Sequence, residues 1–422
     1  MQLLSLTAQN HKSLRDEAVW DLVAGSKPLS AFPAVGIFGA NASGKSTVLD
    51  ALRYVVAAVR ESASSWLSYD QPVRAPFRFD KVLAEGPSRY ELDFMIEGTR
   101  HQYGFEIDPA GIVQEWLGQW ATSRRRSLFH RERDQVQYGR GVASTGPLAP
   151  TELLLSRALR LGHELLKPVA QAISDGVTFA PFGDAARQHR VHEIIDQIAS
   201  MSPGTLQTVL QIADIGIEEV TVREDVVPPE VLSRVQRALA LLSGSDPEPP
   251  DDERAPAEEL SQTTKTAVAR SLEFHHQPGG AAPLSMDEES DGTLAWLALA
   301  VPAINRLRQG GVYVVDELDS SLHPYLAQTL IGFFQDRQVN TQQAQLLFTS
   351  HDSYLLSNQC DLNLAKGQIW FTEKERDGST SLFSLADFAR HRDDNVAKRY
   401  LEGRYGAVPI LAPSLVHRLL PA

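Results

Sequence analysis

The 422-residue sequence contains a single cysteine, Cys360, so an intrachain disulfide and a zinc site built from several cysteines are both excluded. No apolar run approaches the ~20 residues that a membrane-spanning helix needs. The first residues also lack the architecture of a signal peptide. We therefore expect a cytoplasmic protein with no membrane partner. The formal net charge of −13 argues against a uniformly basic surface for nucleic acid.

Hydrophobic residues make up 43% of the chain, which is enough for a large core or for several cooperating lobes. Alternating and apolar runs predict strands, including an antiparallel meander, before residue 140, and 3.6-residue periodicity predicts helices over 151–240. A stretch rich in proline and acid follows at 243–260, where we expect a flexible linker. Strands and helices then alternate, which predicts a parallel sheet. The predicted parts are 1–150, 151–261 and 262–422.

The sequence GANASGKS at 39–46 matches the phosphate-loop pattern at every fixed position, with a strand before it and a helix after it. Backbone N–H groups of such a loop surround phosphates, and Lys45 adds a charge for the β and γ phosphates. The Ser46 hydroxyl is a predicted Mg²⁺ ligand. The alternative is a glycine turn that only caps a helix. The predicted nucleotide-binding residues are Gly39, Ala40, Asn41, Ala42, Ser43, Gly44, Lys45, Ser46 and Thr47.

A second apolar strand, VYVV at 312–315, ends at Asp316 and Glu317. The carboxyl ends of parallel strands open onto the ligand crevice, so Asp316 is a predicted Mg²⁺ ligand. Glu317 is the predicted base that polarises the attacking water. An ordinary strand with an acidic turn is the alternative. A third strand ends at Ser350 and His351, where the imidazole is predicted to contact the γ-phosphate unless its role is structural.

The phrase DEESDGTLAW at 287–296 places Ser290, Asp291 and Gly292 at a predicted helix start. Free N–H groups there can bind a phosphate, with the Ser290 hydroxyl as a further donor. Plain helix capping is the alternative, because serine and acids favour that position.

The order GANASGKS, ESDGT, VYVVDELDSSLHP and TSHD resembles that of ABC-type ATPases: phosphate loop, signature, magnesium strand with dimer loop, and switch histidine. More narrowly, the sequence is similar to the SMC/OLD-like branch, including ATPases of prokaryotic abortive-infection and anti-phage defence systems such as RloA, AbiL and PtuA. LLSLTAQNHKSL and KRYLEGRYGAVPIL resemble the ends of that group. The resemblance implies an α/β, ABC-type P-loop ATPase head with a mixed central sheet, an antiparallel β lobe and a helical insertion.

The resemblance also implies ATP and Mg²⁺ as cofactors and a homodimer, or a higher oligomer, with composite ATP sites. Ser290 and Gly292 of one chain would face the γ-phosphate held by Lys45 of the other, and Asp319, Ser320 and Ser321 would line the dimer seam. DNA or a phage-derived molecule would trigger the switch, and a separately encoded effector, a nuclease or toxin, would respond. No TOPRIM-type nuclease is expected after about residue 410, so Asp393 and Asp394 are interpreted as a solvated pair.

Two other functions stay open on the sequence alone. An SMC-like DNA-repair or DNA-tethering ATPase would use the basic cluster Arg124, Arg125, Arg126, Arg131 and Arg133. An ATP-gated scaffold would bind the nucleotide and scarcely hydrolyse it. The signature ESDGT differs from the LSGGQ of transporters, which argues against membrane transport. The glutamine loop is not assigned, because Gln71 and Gln114 both qualify, and the insertion is expected to be a compact helical bundle.

Overall fold

The structure, a computed structural model, describes residues 1–26, 29–69, 71–120, 124–180, 187–213, 216–226, 268–276, 282–320, 322–389 and 395–408. The chain forms two compact units. One combines Met1–Gly183 with Pro302–Ala422, and the other is Asp184–Val301. The predicted boundaries after residues 150 and 261 do not coincide with this division.

The described strands follow the chain in this order: β1 Gln2–Gln9, β2 Ala18–Asp21, β3 Val23–Ser26, β4 Leu29–Ala31, β5 Ala34–Phe38, β6 Ser88–Ile96, β7 Thr99–Asp108, β8 Gly111–Trp120, β9 Arg126–Glu132, β10 Gln135–Tyr138, β11 Val177–Phe179, β12 Glu219–Val226, β13 Val268–His275, β14 Leu284–Ser285, β15 Val312–Val315, β16 Gln345–Ser350, β17 Ile369–Lys374 and β18 Thr380–Ser384. The described helices are α1 Lys45–Glu61, α2 Lys81–Glu85, α3 Leu154–Leu161, α4 Lys167–Gly176, α5 Arg187–Ser200, α6 Pro203–Ile212, α7 Asp291–Gln309, α8 Pro324–Gln335 and α9 Val396–Leu401.

A mixed six-stranded sheet lies at the centre of the first unit, in the order β11-β15-β16-β5-β17-β18. The first five strands run parallel, and β18 pairs antiparallel with β17. All residues of β5, β15 and β16 are buried, as the continuous apolar runs of a covered parallel sheet require. The carboxyl ends of these three strands therefore meet at one edge, where the three sequence motifs begin.

The same unit contains a seven-stranded antiparallel sheet in the order β10-β9-β8-β7-β6-β1-β2. Its β6–β7 hairpin turns at Glu97 and Gly98, whose φ angles of 48° and 78° are both positive. That is the backbone of a tight hairpin turn with right-handed strand twist. The predicted fold class, α/β with a mixed central sheet and an antiparallel lobe, is confirmed.

Residues 151–179 belong to the core of the first unit, although the sequence interpretation placed them in an insertion. Helices α3 and α4 pack against each other and against α1, and their buried residues include Leu154, Leu155, Ala170 and Ile173. Strand β11 then joins the central sheet beside β15. Periodicity predicted these helices correctly but did not indicate which surface they cover.

The second unit combines α5, α6, the three-stranded sheet β12-β13-β14 and the beginning of α7. Its core includes Trp296, whose indole N–H donates to the Val209 carbonyl at 2.7 Å. The predicted compact helical bundle is therefore incomplete as a description, because β12 and β13 form an eight-residue antiparallel ladder beside the helices. The predicted linker at 243–260 lies outside the described residues. Among the described helices, none is long and apolar enough to cross a membrane.

The alternation of strands and helices predicts a helix after β16, but Ser353–Leu356 forms a single 3-10 turn. The Asp352 carboxylate accepts the Tyr354 N–H at 2.8 Å, which caps this turn immediately after His351. The turn ends at Ser357, where the backbone returns to an extended conformation.

Candidate functional site

The phosphate loop connects the buried end of β5 to the first residue of α1. Gly44 has a φ of 108°, and a Cβ at this position would collide with the Thr380 side chain, so glycine is required on both counts. The loop closes around the buried Lys45 side chain. Its ammonium donates to the carbonyls of Gly39 at 2.8 Å and Ala40 at 3.0 Å. The conformation of the phosphate loop thus depends on its own glycine residue Gly44 and on contact with Thr380 of β18.

The charges of three carboxylates act on the Lys45 ammonium. Burial lowers the pKa of Lys45, and the charges of Glu317, Asp316 and Asp319 act in the opposite direction. The structure therefore brings the lysine of the first motif to the acids of the second, as the sequence interpretation expected of a shared crevice.

The carboxylates at the end of β15 are held by Thr349 of the neighbouring strand β16. The Thr349 hydroxyl donates to Asp316 Oδ1 and accepts the Glu317 N–H at 2.7 Å. The Ser46 hydroxyl donates to the same Asp316 oxygen at 3.1 Å. Glu317 itself has a φ of 52°, which is uncommon for a residue other than glycine. Such backbone strain is frequent at functional sites.

The oxygen atoms of Ser46 and Asp316 form a donor pair that fits Mg²⁺. A hard cation of this size prefers oxygen ligands, and in nucleotide sites it takes most of them from phosphate and water. In the described part of the chain, no group of three or more His, Cys, Asp or Glu side chains converges as a metal site would require. The pair therefore suits a metal that arrives with the nucleotide better than a metal held by protein alone.

Lys45, Ser46 and Glu317 line a cavity of about 360 Å³. Its wall includes three residues that the sequence interpretation missed: Lys12, Ser13 and Lys374. Lys12 and Ser13 follow β1, and Lys374 ends β17. The sequence NHKSL contributes only to the family resemblance. A lysine at the end of a strand has no distinctive sequence pattern. The complete wall consists of Lys12, Ser13, Asn41, Ala42, Gly44, Lys45, Ser46, Thr47, Glu317 and Lys374.

Lys12 is positioned by Asp50 on α1. The Lys12 ammonium lies 2.5 Å from Asp50 Oδ2, and His11 Nε2 lies 2.9 Å from the same atom. His11 Nδ1 in turn contacts the Tyr90 hydroxyl at 2.8 Å. Burial opposes ionisation of Asp50, but the hydrogen bonds from His11 and Lys12 prevail and lower its pKa to about 2. A charged network thus ties the cavity wall to the antiparallel sheet.

The predicted switch histidine is paired with the predicted seam acid. His351 Nδ1 lies 3.1 Å from Asp319 Oδ2, with the His351 side chain 57% exposed and that of Asp319 only 6% exposed. Asp319 Oδ1 is buried without a hydrogen-bond partner in the part of the chain that the structure describes. Ser320 donates its N–H to the Glu317 carbonyl at 2.8 Å. Ser321 lies outside the described residues.

The signature residues begin α7 in the second unit. The Ser290 hydroxyl accepts the Thr293 N–H at 3.1 Å and lies 2.8 Å from the Thr293 hydroxyl. Asp291 and Gly292 are the first two residues of the helix. Ser290 is therefore the N-cap of α7, and its contact with a phosphate stays a prediction.

The basic cluster is less continuous than the sequence indicated. The prediction was wrong for Arg131, which is fully buried, lies 3.7 Å from Glu115 and donates to the Arg133 carbonyl. Arg133 pairs with Asp108, and the Arg125 guanidinium lies 5.7 Å from the Trp120 ring centroid. A buried guanidinium in a strand looks the same in sequence as an exposed one. The exposed members are Arg124, Arg125, Arg126 and Arg133.

Neither candidate for the glutamine loop lies in the cavity wall. Gln114 is within β8, opposite Glu106 of β7 and Glu132 of β9. Gln71 is exposed in the loop before β6. Asp393 and Asp394 lie outside the described residues.

The family model described as "AAA domain, putative AbiEii toxin, Type IV TA system" matches residues 34–147 and 196–357, more than half of the chain. The chain belongs to this family. The match includes the phosphate loop, the signature residues, Asp316, Glu317 and His351. This chain thus contains an AAA domain. A search of curated proteins finds no match.

Solved structures with similar folds are also known. An SMC head bound to the C-terminal winged-helix domain of ScpA matches with 14% identity and a TM-score of 0.46, covering 91% of this chain and 97% of that one. A Pyrococcus furiosus Smc head with an extended coiled coil matches with 13% identity and a TM-score of 0.39, covering 96% and 99%. RecF with ATP matches with 11% identity and a TM-score of 0.37, covering 90% and 99%.

Proposed function

We propose that this AAA-family chain binds and hydrolyses ATP as the switch subunit of a prokaryotic anti-phage defence system. The observation that supports hydrolysis most directly is the hydrogen-bonded group Ser46, Asp316 and Thr349 beside Glu317. Ser46 and Glu317 line one cavity together with the buried Lys45.

Each residue has a distinct proposed role. The N–H groups of the phosphate loop and Lys45 bind the phosphates. Ser46 and Asp316 hold Mg²⁺, which when bound neutralises charge on the phosphate oxygens. Glu317 accepts a proton from the attacking water. His351, oriented by Asp319, donates a hydrogen bond to the γ-phosphate. Ser290, Asp291 and Gly292 of a second copy complete the site and couple hydrolysis to dimer release.

Two substitutions test the ATPase assignment. Lys45→Ala removes the ammonium group of the phosphate loop, so we expect loss of ATP binding. Glu317→Gln keeps the shape and removes the base, so we expect bound ATP, turnover reduced by roughly 10²-fold or more, and accumulation of dimer in size-exclusion chromatography. Glu97→Gln is the matched control, because Glu97 has a similar φ of 48° and lies at a hairpin turn. Normal phosphate release by Glu317→Gln would exclude it as the base.

The defence role is supported by the family's description, which names a toxin of a toxin–antitoxin system. We propose that the effector, a nuclease or toxin, is encoded beside this chain, and that DNA or a phage-derived molecule acts as trigger. Expression of the chain with its neighbouring genes should reduce phage plating, and Lys45→Ala should abolish that protection. Equal plating with wild-type and Lys45→Ala genes would contradict the defence role and leave the ATPase assignment intact.

A further inference from the structure

The stretch Asn395–Val408 contains KRYLEGRYGAV, a motif that no step of the proposed reaction uses. It forms α9 and a succession of tight turns, with Gly403 N–H donating to the Tyr400 carbonyl and Gly406 N–H to the Gly403 carbonyl. Ala407 has a φ of 59° and is buried. A left-handed alanine is sterically unfavourable, so surrounding contacts must hold this turn in place. We call Asn395–Val408 the C-terminal clamp.

Aromatic stacking fixes the C-terminal clamp to the central sheet. The rings of Tyr400 and Tyr405 both stack on Phe371 of β17, at centroid distances of 5.5 and 5.6 Å and interplanar angles of 18°. Phe388 meets Tyr405 edge-on at 5.1 Å. Both tyrosines are buried, so this aromatic base is firmly packed.

The C-terminal clamp reaches the phosphate loop through one carbonyl group. The Ala407 carbonyl accepts the Ala40 N–H at 2.9 Å and the Tyr400 hydroxyl at 3.4 Å. The Ala40 carbonyl accepts the Lys45 ammonium at 3.0 Å and the Ser43 N–H at 3.2 Å. The C-terminal clamp therefore fixes the orientation of Ala40, whose carbonyl contacts the Lys45 ammonium.

The C-terminal clamp also contacts the turn that follows His351, the residue predicted to contact the γ-phosphate. Helix α9 packs against the 3-10 turn Ser353–Leu356, which follows His351 directly. One segment thus contacts both the loop that carries Lys45 and the turn that follows the switch histidine.

We propose that the C-terminal clamp positions the phosphate loop for nucleotide binding, with Tyr400, Tyr405 and Ala407 as positioning residues. A loop held in its binding conformation loses less conformational entropy when the nucleotide binds, which raises affinity. This inference rests on the proposed ATP binding, and it adds a role for a segment that lies outside the four ATPase motifs.

Two substitutions at Ala407 separate positioning from folding. Ala407→Gly keeps the carbonyl and adopts positive φ easily, so we expect the wild-type Kd for a fluorescent ATP analogue within about twofold. Ala407→Val places a β-branched residue at positive φ, so the carbonyl must move away from Ala40. We expect its Kd to rise about tenfold, with circular dichroism and the melting temperature without nucleotide reporting on folding. A folded Ala407→Val protein with wild-type affinity would overturn the proposal.

A second pair of variants, at Tyr405, tests the same positioning role without changing the turn at Ala407. Tyr405→Ala removes the ring that stacks on Phe371 and should weaken ATP binding, whereas Tyr405→Phe retains the ring and should not. Equal affinity of the two variants contradicts the positioning role. In the wild type, adding the ATP analogue should slow hydrogen exchange of peptides covering 395–408. Unchanged exchange contradicts the proposal even if no variant folds.

The outcomes also distinguish the clamp from the ATPase assignment. Failure of the wild type to bind ATP would refute the proposed function itself. Loss of binding in Lys45→Ala together with full binding in Ala407→Val and Tyr405→Ala would refute only the C-terminal clamp.

Discussion

At the residue scale, one hydroxyl group organises the carboxylates that are predicted to bind Mg²⁺ and to activate water. Thr349 is fully buried, and its Oγ1 bonds both the Asp316 side chain and the Glu317 N–H. The left-handed backbone at Glu317 brings that N–H towards β16, at a cost of about 1–2 kcal/mol for such a conformation. The Thr349 hydroxyl therefore offsets strain and aims the Asp316 carboxylate towards Ser46.

Replacing Thr349 by valine tests this arrangement, because the two side chains have the same shape and differ in the hydroxyl. We expect Thr349→Val to lose about 1–3 kcal/mol of unfolding free energy, since the Glu317 N–H and a carboxylate oxygen lose a buried partner. ATP turnover should fall about tenfold or more as Asp316 and Glu317 lose their orientation. Urea unfolding and phosphate release measure the two effects.

Thr349→Ser is the control, because it keeps the hydroxyl and should retain most of the turnover. Wild-type turnover in Thr349→Val would show that the carboxylates are positioned by other contacts.

At the element scale, Asp50 joins α1 to the loop that follows β1. Its carboxylate, 24% exposed, binds both His11 and Lys12, and its pKa is lowered from 3.8 to about 2. A carboxylate with a lowered folded-state pKa stabilises the fold when it is ionised. Its contribution is therefore complete above about pH 4 and is lost as the pH falls through the interval from 3.8 to about 2.

The size of this contribution is testable by pH titration of stability. The shift corresponds to about 2 kcal/mol of unfolding free energy. We expect wild type to lose that amount between pH 4 and pH 2 relative to Asp50→Asn, measured by urea unfolding at each pH. Parallel stability profiles down to pH 2 would show that the Asp50 carboxylate is not stabilised by folding.

The strands that carry the motifs were predictable, and the packing of the intervening segments was not. β5, β15 and β16 are short apolar runs that are followed directly by Gly39, Asp316 and His351, so pattern and motif agree on their position. Periodicity identified α3 and α4, yet it cannot show that they cover α1. Likewise, the strand pattern around Arg131 does not reveal that a guanidinium is buried beside Glu115, since that depends on the partner strand.

At the scale of the whole molecule, the predicted nucleotide contacts are distributed over both compact units. Lys45, Asp316 and His351 belong to the unit that contains the central sheet, whereas Ser290 caps α7 in the other unit. Helix α7 contributes residues to both units, because its residues from Pro302 onwards are assigned to the unit that contains the central sheet. Mixed oligomers test the proposal that Ser290 contacts a phosphate bound by a second copy of the chain.

Mixing Ser290→Arg chains with Lys45→Ala chains tests the predicted contact between copies. In a symmetric dimer with sites completed in trans, a heterodimer keeps one intact site, formed by Lys45 of one chain and Ser290 of the other. An equimolar mixture should then recover about a quarter of the wild-type ATP turnover, because half of the dimers are mixed and each has one working site. Each variant alone should be inactive. With sites completed in cis, the mixture should be as inactive as its components.

The Ser290→Arg substitution also removes the N-cap of α7, which costs about 1 kcal/mol. Ser290→Asn therefore serves as a control, since asparagine caps the Thr293 N–H equally well without the bulk of arginine. If Ser290→Asn retains turnover while Ser290→Arg abolishes it, the loss reflects the blocked phosphate contact and not an unfolded helix start. A Ser290→Arg protein with wild-type turnover would instead leave Ser290 with capping as its only role.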